Sequence, residues 1–466
     1  MESTHRALIR QTQAWARGRG FEPEHAREMR HRAILSNHRH YYETIPAYRR
    51  FAQEEGIHQP GSIEPIKQRL MFPDEIFKSY DQRWLDEKNF TRMNVWLSEI
   101  HHRRVEVDVS DVDSIDAWIE RLEAADIQII YSSGTSGNFS FIPRDSANMQ
   151  LFRAASLSYL VPLLLPRIIR SPLRQLAINL IYPQLPPETL MNAGRRTGGL
   201  GLSNFEAIFL DFNRGHTGNQ SLEREVTRLF RRNSFLYETQ LSPAVLRLAA
   251  RGPRTESDRA QLLALQELVI GQKENNYLKI IARLRRSVDD GHKVFIFGTP
   301  YQLKELCGII FSLGKSIKLK EGSLILFGGG WKSFSGEKIP RDQLIALMND
   351  ALGLPADRIL EGYSMTEINV FMLRCEHGRF HIPPLIEPVL YNEELELIKG
   401  DDLRGTLGFL DPFAVSYPGF IITGDEVHFV NGPCPCGLTG PAVTEIERAQ
   451  QREVKGCGGI MASLAA

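Results

Sequence analysis

The sequence predicts an α/β protein: a large multi-subdomain lobe of parallel sheets flanked by helices, joined to a small β-rich subdomain. Three observations carry that expectation. From Ile127 onward, short apolar runs (IQIIY, LRQLAINLIY, KVFIFG, SLILFGGG) alternate with longer amphipathic stretches such as LVPLLLPRIIR, YQLKELCGIIFSLG and PRDQLIALMNDALG. That alternation is the mark of parallel strands with crossover helices. Past Leu407, the run LGFLDPFAVSYPGFIITGDEVHFV is β-prone and punctuated by Pro and Gly, which suits a small β-rich unit. Finally, 466 residues exceed the size at which one core usually stops growing, so about two to three folding units are expected.

Taken in order, residues 1–105 carry helix-like apolar spacing with Arg, His and Glu decoration (HRALIRQTQAWARG, HYYETIPAYRRFAQEEG) and predict a mostly helical N-terminal layer. Its histidines, among them His38, His40, His101 and His102, lack ligand-like companions and are read as solvated or packing side chains. Residues 106–400 form the α/β core. The part from about 185 to 275 is less legible, with ARGPRTESDRAQ read as an exposed loop entering a helix. Residues 401–447 are the β-rich subdomain, and 448–466 a short C-terminal tail.

The 42% hydrophobic and 24% charged composition is that of a globular chain able to bury a core. Fifty-six basic residues balance fifty-six acidic ones, so no net field attracts nucleic acid or an anionic membrane surface. The start, MESTHRALIRQTQAWARGRG, has no apolar secretory core, which leads to the expectation of a cytoplasmic protein. The greasiest stretch, LSYLVPLLL at Leu157–Leu165, is interrupted by Pro162 and closed by Pro166 and Arg167. It is far shorter than the roughly 20 apolar residues of a spanning helix, and is read as a buried element. Five cysteines, Cys307, Cys375, Cys434, Cys436 and Cys457, favour thiols, metal ligands or a nucleophile over a disulfide framework.

The strongest local signal is Ile129-Ile130-Tyr131-Ser132-Ser133-Gly134-Thr135-Ser136-Gly137-Asn138. An apolar strand runs into a loop of small hydroxyl residues and two glycines, so backbone N–H groups and hydroxyls can converge on a polyphosphate. The Gly-Lys-Ser/Thr ending of a Walker A loop is missing. A decoy, Gly308–Ser316 (GIIFSLGKS), has one residue too many and an apolar interior, and reads as a helix C-cap. Gly298-Thr299-Pro300 follows the strand KVFIF, and Gly328-Gly329-Gly330 follows SLILF. Both turns fall where ligands of open α/β sheets bind.

Next come Glu361-Gly362-Tyr363-Ser364-Met365-Thr366-Glu367 and Ile421-Ile422-Thr423-Gly424-Asp425. In this order and at these intervals, the four motifs resemble those of the adenylate-forming superfamily over about residues 125–455. That resemblance implies that Ser132, Ser133, Gly134, Thr135, Ser136 and Gly137 hold ATP phosphates, with Gly329 and Gly330 in the glycine turn. It further implies that Tyr363 packs on adenine, Thr366 touches the α-phosphate, Glu367 binds Mg²⁺ and Asp425 accepts from the ribose hydroxyls.

HKVFIFGTPYQLKEL, LFGGGWKSF, GYSMTE, CEHGRFHIPP and ERAQQREVKGCG are similar to one branch, the bacterial acyl-protein synthetases of fatty-acid reductase systems. The implied activity is ATP-dependent activation of a fatty or other apolar carboxylic acid, followed by transfer to Cys457. Lys455 beside it would raise the thiolate fraction. The implied partners are an acyl reductase or a carrier protein. Where other superfamily members carry a lysine after the phosphate loop, this chain has Ser140, and Ser364 replaces a usual glycine. By the same resemblance, Arg448 matches the hinge-proximal arginine, and with a tail of 18 residues after it the expectation is that the mobile C-terminal domain with its catalytic lysine is largely missing and that Lys332 or Lys455 offsets the charge.

Cys434-Pro435-Cys436-Gly437 is a tight turn presenting two thiols, of the kind that favours tetrahedral zinc. By resemblance to phenylacetate-CoA ligases, the set is completed by Cys375 and His381, with His377 as an alternative to His381, as a structural site. Independent reduced cysteines are the competing reading. Two other functions remain open: an adenylating ligase that hands its acyl group to CoA, a carrier protein or an amine, and a non-catalytic nucleotide- and zinc-binding scaffold.

Overall fold

The computed structural model describes residues 3–133, 138–168, 204–331 and 337–448. They divide into two compact units, one running from the N-terminus through residue 160 and resuming at Met365, the other spanning Val161–Ser364.

The first unit begins with helices Ser3–Ala16, Pro23–Thr44, Pro46–Glu54, Glu64–Arg69, Gln82–Asp86 and Phe90–Ile100. Pro23 and Pro46 occupy first-turn positions, where the missing N–H would have had no partner anyway. Leu8, Ile34, Tyr41 and Tyr48 are completely buried. Polar ends on the same helices reach distant backbone: His5 and Asn37 bond the Pro412 carbonyl at 2.8 and 3.1 Å, and the Trp15 Nε1–H donates to Thr439 O at 2.8 Å. His38 and His101 prove to be packing residues, 2% and 0% exposed. His102 does have a companion, Asp145, at 2.8 Å.

Strand β1 (Phe72–Pro73) is followed by helix Ile115–Ala124, capped by the Ser114 hydroxyl on the Ala117 N–H at 3.2 Å. Strands β2 (Gln128–Ser133) and β3 (Phe139–Arg144) then form an antiparallel hairpin, with Ser132 opposite Ser140. This corrects the expectation that IQIIY joins a parallel sheet. The chain returns after only a few residues, whereas parallel pairing needs a crossover of a dozen or more. Helix Ser146–Ile168 continues through Pro162, so that proline forgoes one backbone bond without ending the helix. No helix among the described residues is long and apolar enough to cross a membrane.

In the second unit, β4 (Phe205–Arg214), β5 (Arg232–Gln240), β6 (Lys293–Gly298), β7 (Leu324–Gly328) and β8 (Ile359–Tyr363) are all parallel, in the order β5-β4-β6-β7-β8. This is the parallel α/β arrangement expected from the alternation, and the chain reverses its direction of travel between β4 and β6. Crevices outside the carboxyl ends of strands at such a switch point are where open sheets bind ligands. Ile208, Ile296 and Ile325 pack against Leu306 and Cys307 of helix Pro300–Ser312 and Met348 of helix Arg341–Leu352. Gly314, at φ 71°, follows the end of the first of these helices, the cap expected for the decoy motif.

The first unit resumes with β9 (Met372–Leu373), β10 (Phe380–His381), β11 (Glu387–Tyr391), β12 (Leu397–Ile398), β13 (Asp402–Leu410), β14 (Phe420–Asn431) and β15 (Pro441–Arg448). One sheet runs β10-β15-β14-β13-β11-β12, with β1 parallel to β14. Pro412 and Gly419 lie in the loop between β13 and β14, against which the N-terminal helices are anchored.

Candidate nucleotide and metal sites

Asp425 lies near the middle of β14, only 8% exposed and directly across the ladder from Arg448 on β15. Its backbone N–H donates to the Thr423 hydroxyl at 3.1 Å, and that hydroxyl donates to Leu407 O at 2.8 Å. The Thr-Gly-Asp motif is thus locked into the strand. Thr366 and Glu367 lie in a turn of the same unit, Thr366 half-buried and Glu367 6% exposed. Burial, reinforced by the carboxylates of Glu75 and Glu367, pushes the Asp74 carboxyl well up. Asp74 is thereby held largely as the neutral acid near pH 7, beside Glu367.

Ser132 is half-buried at the end of β2. Of Ser133 the structure describes the backbone, and the same holds for Arg448. Gly134, Thr135, Ser136, Gly137, Lys332, Lys455 and Cys457 lie outside the described residues.

In the second unit, Gly328 ends β7 so close to β8 that a Cβ there would stand 2.8 Å from Gly362 O. Gly329 and Gly330 follow at φ 79° and 60°, the left-handed region that glycine adopts without penalty. A Cβ at Gly329 would face Asn219 Nδ2 at 3.5 Å and Thr299 Cγ2 at 3.8 Å. Tyr363 is the last residue of β8 and half-buried. Near the end of β4, burial pushes the Asp211 carboxyl up to about 6, and burial together with Asp211 pushes Glu223 well up. Sequence reading missed these two acidic groups, half-buried Asp211 and buried Glu223, because DFNRGHTGNQSLEREV looks like an ordinary polar segment.

The clearest convergence is that of Cys375, His381, Cys434 and Cys436, whose ligand atoms all lie within 4.8 Å of one another. Two matching turns present the thiols: the Gly378 N–H donates to Cys375 O at 3.0 Å and the Gly437 N–H to Cys434 O at 2.9 Å. Both glycines have positive φ, 79° and 91°. Cys375 Sγ and Cys434 Sγ are 3.8 Å apart, and Cys436 Sγ and His381 Nε2 3.3 Å. A zinc–sulfur bond of about 2.3 Å gives a tetrahedral edge of about 3.8 Å. The donor set and its spacing fit zinc. Burial pushes Cys436 up to about 12, raises Cys375 and pushes His381 down to about 4. The side chain of His377 is exposed beside Glu376 at 3.8 Å and lies outside the cluster.

A family model described as acyl-protein synthetase, LuxE, matches residues 272–465. That span holds Tyr363, Glu367, Asp425 and the cysteine–histidine cluster, so the resemblance to acyl-protein synthetases is borne out over this part of the chain. Among curated relatives, the long-chain-fatty-acid–luciferin-component ligase of Aliivibrio fischeri is 26% identical over 209 residues, 44% of this chain and 54% of that protein. Its counterpart from Vibrio harveyi is 24% identical over 200 residues, 42% and 52% of the two chains. The chain thus spans about half the length of the curated relatives it matches. Among solved structures, a 2-hydroxyisobutyryl-CoA ligase complexed with 2-HIB-AMP and CoA aligns at TM-score 0.45 and 13% identity, covering 91% of this chain and 70% of that one.

Proposed function

We propose that this protein activates a carboxylic acid, most suitably a long-chain fatty acid as in the names of its relatives, at the expense of ATP, and then acylates a thiol. In the first step a carboxylate oxygen attacks the α-phosphorus of ATP, giving the acyl-adenylate and releasing pyrophosphate. No protein base is needed, since the acid is already ionised at neutral pH. Thr366 would donate to the α-phosphate and Asp425 would accept from the ribose hydroxyls. Gly329, Gly330 and Tyr363 keep the roles that the motifs assign to them, as do Ser132 and the loop that follows it. Mg²⁺ held at Glu367 would offset the negative charge of the phosphates.

In the second step the Cys457 thiolate attacks the acyl carbonyl, a thioester forms and AMP leaves. Zinc on Cys375, His381, Cys434 and Cys436 would be structural, because four protein ligands leave no open position. An acyl reductase that consumes the thioester is the partner this chemistry calls for.

The observation that carries the reading is the family match across residues 272–465, which takes in the Tyr-x-x-Thr-Glu and Thr-Gly-Asp motifs in their order. The test is ATP–pyrophosphate exchange with a panel of fatty and aromatic acids, followed by intact-mass measurement. Acid-dependent exchange and an acyl adduct that Cys457→Ser abolishes are expected. Exchange without an adduct would move the acceptor to CoA or a carrier thiol, and no exchange with any acid would leave only a scaffold.

A further inference from the structure

Residues 364–370 belong to no helix or strand, so no backbone ladder fixes the course of the chain through Glu367. Buried side chains do so instead. Arg144 Nη2, at the end of β3, donates to Thr366 O at 2.8 Å and to Ile368 O at 3.2 Å. Between these two acceptors, the carbonyl of Glu367 itself accepts from the Tyr417 hydroxyl at 3.0 Å. The Asn369 N–H then donates to Asp411 Oδ2 at 2.6 Å. Every peptide from Thr366 to Asn369 is therefore tied to a side chain from elsewhere in the unit.

These side chains are themselves held firmly. Arg144 is 2% exposed, and Tyr417 and Asp411 are fully buried. The guanidinium lies over the rings of Phe152 and Tyr417, at 5.0 and 5.6 Å, and also donates to the Tyr417 hydroxyl at 3.2 Å. Burying a guanidinium carries a large desolvation cost. Carbonyl acceptors and two aromatic faces offset it here, an arrangement that suits a planar, weakly hydrated arginine better than a lysine. The arginine thus bonds the carbonyls of the residues on either side of Glu367, the acidic residue that the motif assigns to a cation.

We propose that Arg144 and Tyr417 are positioning residues for Glu367, fixing its turn so that its carboxylate meets the divalent cation of the nucleotide in a single orientation. The inference rests on the nucleotide reading given above. A carboxylate free to wander by about 1 Å loses much of what preorganisation contributes.

The experiment uses the full chain and the variants Arg144→Lys, Tyr417→Phe and Glu367→Gln. Mg²⁺ is titrated with two readouts: pyrophosphate exchange at saturating ATP and acid, and the thermal shift produced by a non-hydrolysable ATP analogue. In Arg144→Lys and Tyr417→Phe, the Mg²⁺ concentration for half-maximal response should rise about tenfold in both readouts, equivalent to about 1.4 kcal/mol. The KM for the acid should stay unchanged, which separates a cation-specific effect from a general distortion of the site, and a fold defect would only lower the active fraction without moving the Mg²⁺ midpoint. If Glu367→Gln shifts that midpoint while both other variants keep the wild-type value, the positioning role is wrong and the nucleotide reading survives. If Glu367→Gln also behaves as wild type, the assignment of Glu367 to the cation falls, and this inference with it. Should Arg144→Lys fail to fold, Tyr417→Phe decides alone, because it keeps the ring and removes only the hydroxyl.

Discussion

Arg30 donates its Nε–H to the Glu387 carboxylate at 2.7 Å, joining helix Pro23–Thr44 to strand β11 across 357 positions of sequence. Lys67 donates to the other carboxylate oxygen at 2.7 Å, and the three side chains are only 11–14% exposed. Burial alone would push the Glu387 carboxyl up, but Arg30, His31 and Lys67 hold it far below the usual carboxylate range. Glu387→Gln is expected to cost about 3–5 kcal/mol, since it leaves two cations poorly compensated. Denaturant unfolding measures this, and a loss under about 1 kcal/mol would show that the cations find water instead.

The purified chain is expected to carry about one zinc, measured by elemental analysis, and Cys434→Ser or His381→Ala should release it. Because metal binding to a preformed four-ligand site contributes to folding free energy, a strong chelator should lower the melting temperature. His377→Ala should keep the metal. Retention of zinc in Cys434→Ser would contradict the four-ligand set.

His101 is completely buried, and burial pushes its pKa down to about 4 against an ordinary 6.5, with the Arg103 carbonyl opposing the shift and His102 adding to it. Between these two values the unfolded chain binds a proton that the folded chain does not, so stability falls as pH falls through that window. The contribution is present above pH 6.5 and is largely gone near pH 4, with an upper limit of about 3 kcal/mol. Unfolding free energies measured from pH 7 to 4 should show this slope, and His101→Gln should flatten it. An unchanged slope in the variant would assign the effect to other groups.

Gly328→Ala and Gly330→Ala separate two demands on the glycine turn. At Gly328 the new methyl would meet the Gly362 carbonyl at 2.8 Å, and forcing the strands apart should cost about 1–3 kcal/mol. At Gly330 there is open space but φ is 60°, so only the left-handed backbone penalty of about 1–2 kcal/mol applies. Equal and negligible losses in thermal unfolding would contradict both arguments.

Much of this was legible in local sequence. KVFIFG and LILFG are strands β6 and β7, YQLKELCGIIFS is a helix, and Gly314 caps it, because apolar period and turn chemistry act over a few residues. The grouping of Cys375 and His381 with the Cys434–Cys436 turn followed from the resemblance to phenylacetate-CoA ligases, and the four side chains do converge. IQIIY misled because an apolar run says nothing about the direction of its partner. Asp145 beside His102, and Asp211 beside Glu223, left no local sign at all.

By itself, then, the sequence determined the α/β class, the order of the motifs and the residue types able to hold phosphate, magnesium and zinc. The tertiary structure decided which buried groups meet: Arg144 on the carbonyls of Thr366 and Ile368, Tyr417 on the carbonyl of Glu367, and, away from these motifs, Arg30 and Lys67 on Glu387. The reason is physical. A buried donor or acceptor must be satisfied by whatever the fold brings within about 3 Å, and that neighbour is set by packing across hundreds of residues, which no local periodicity encodes.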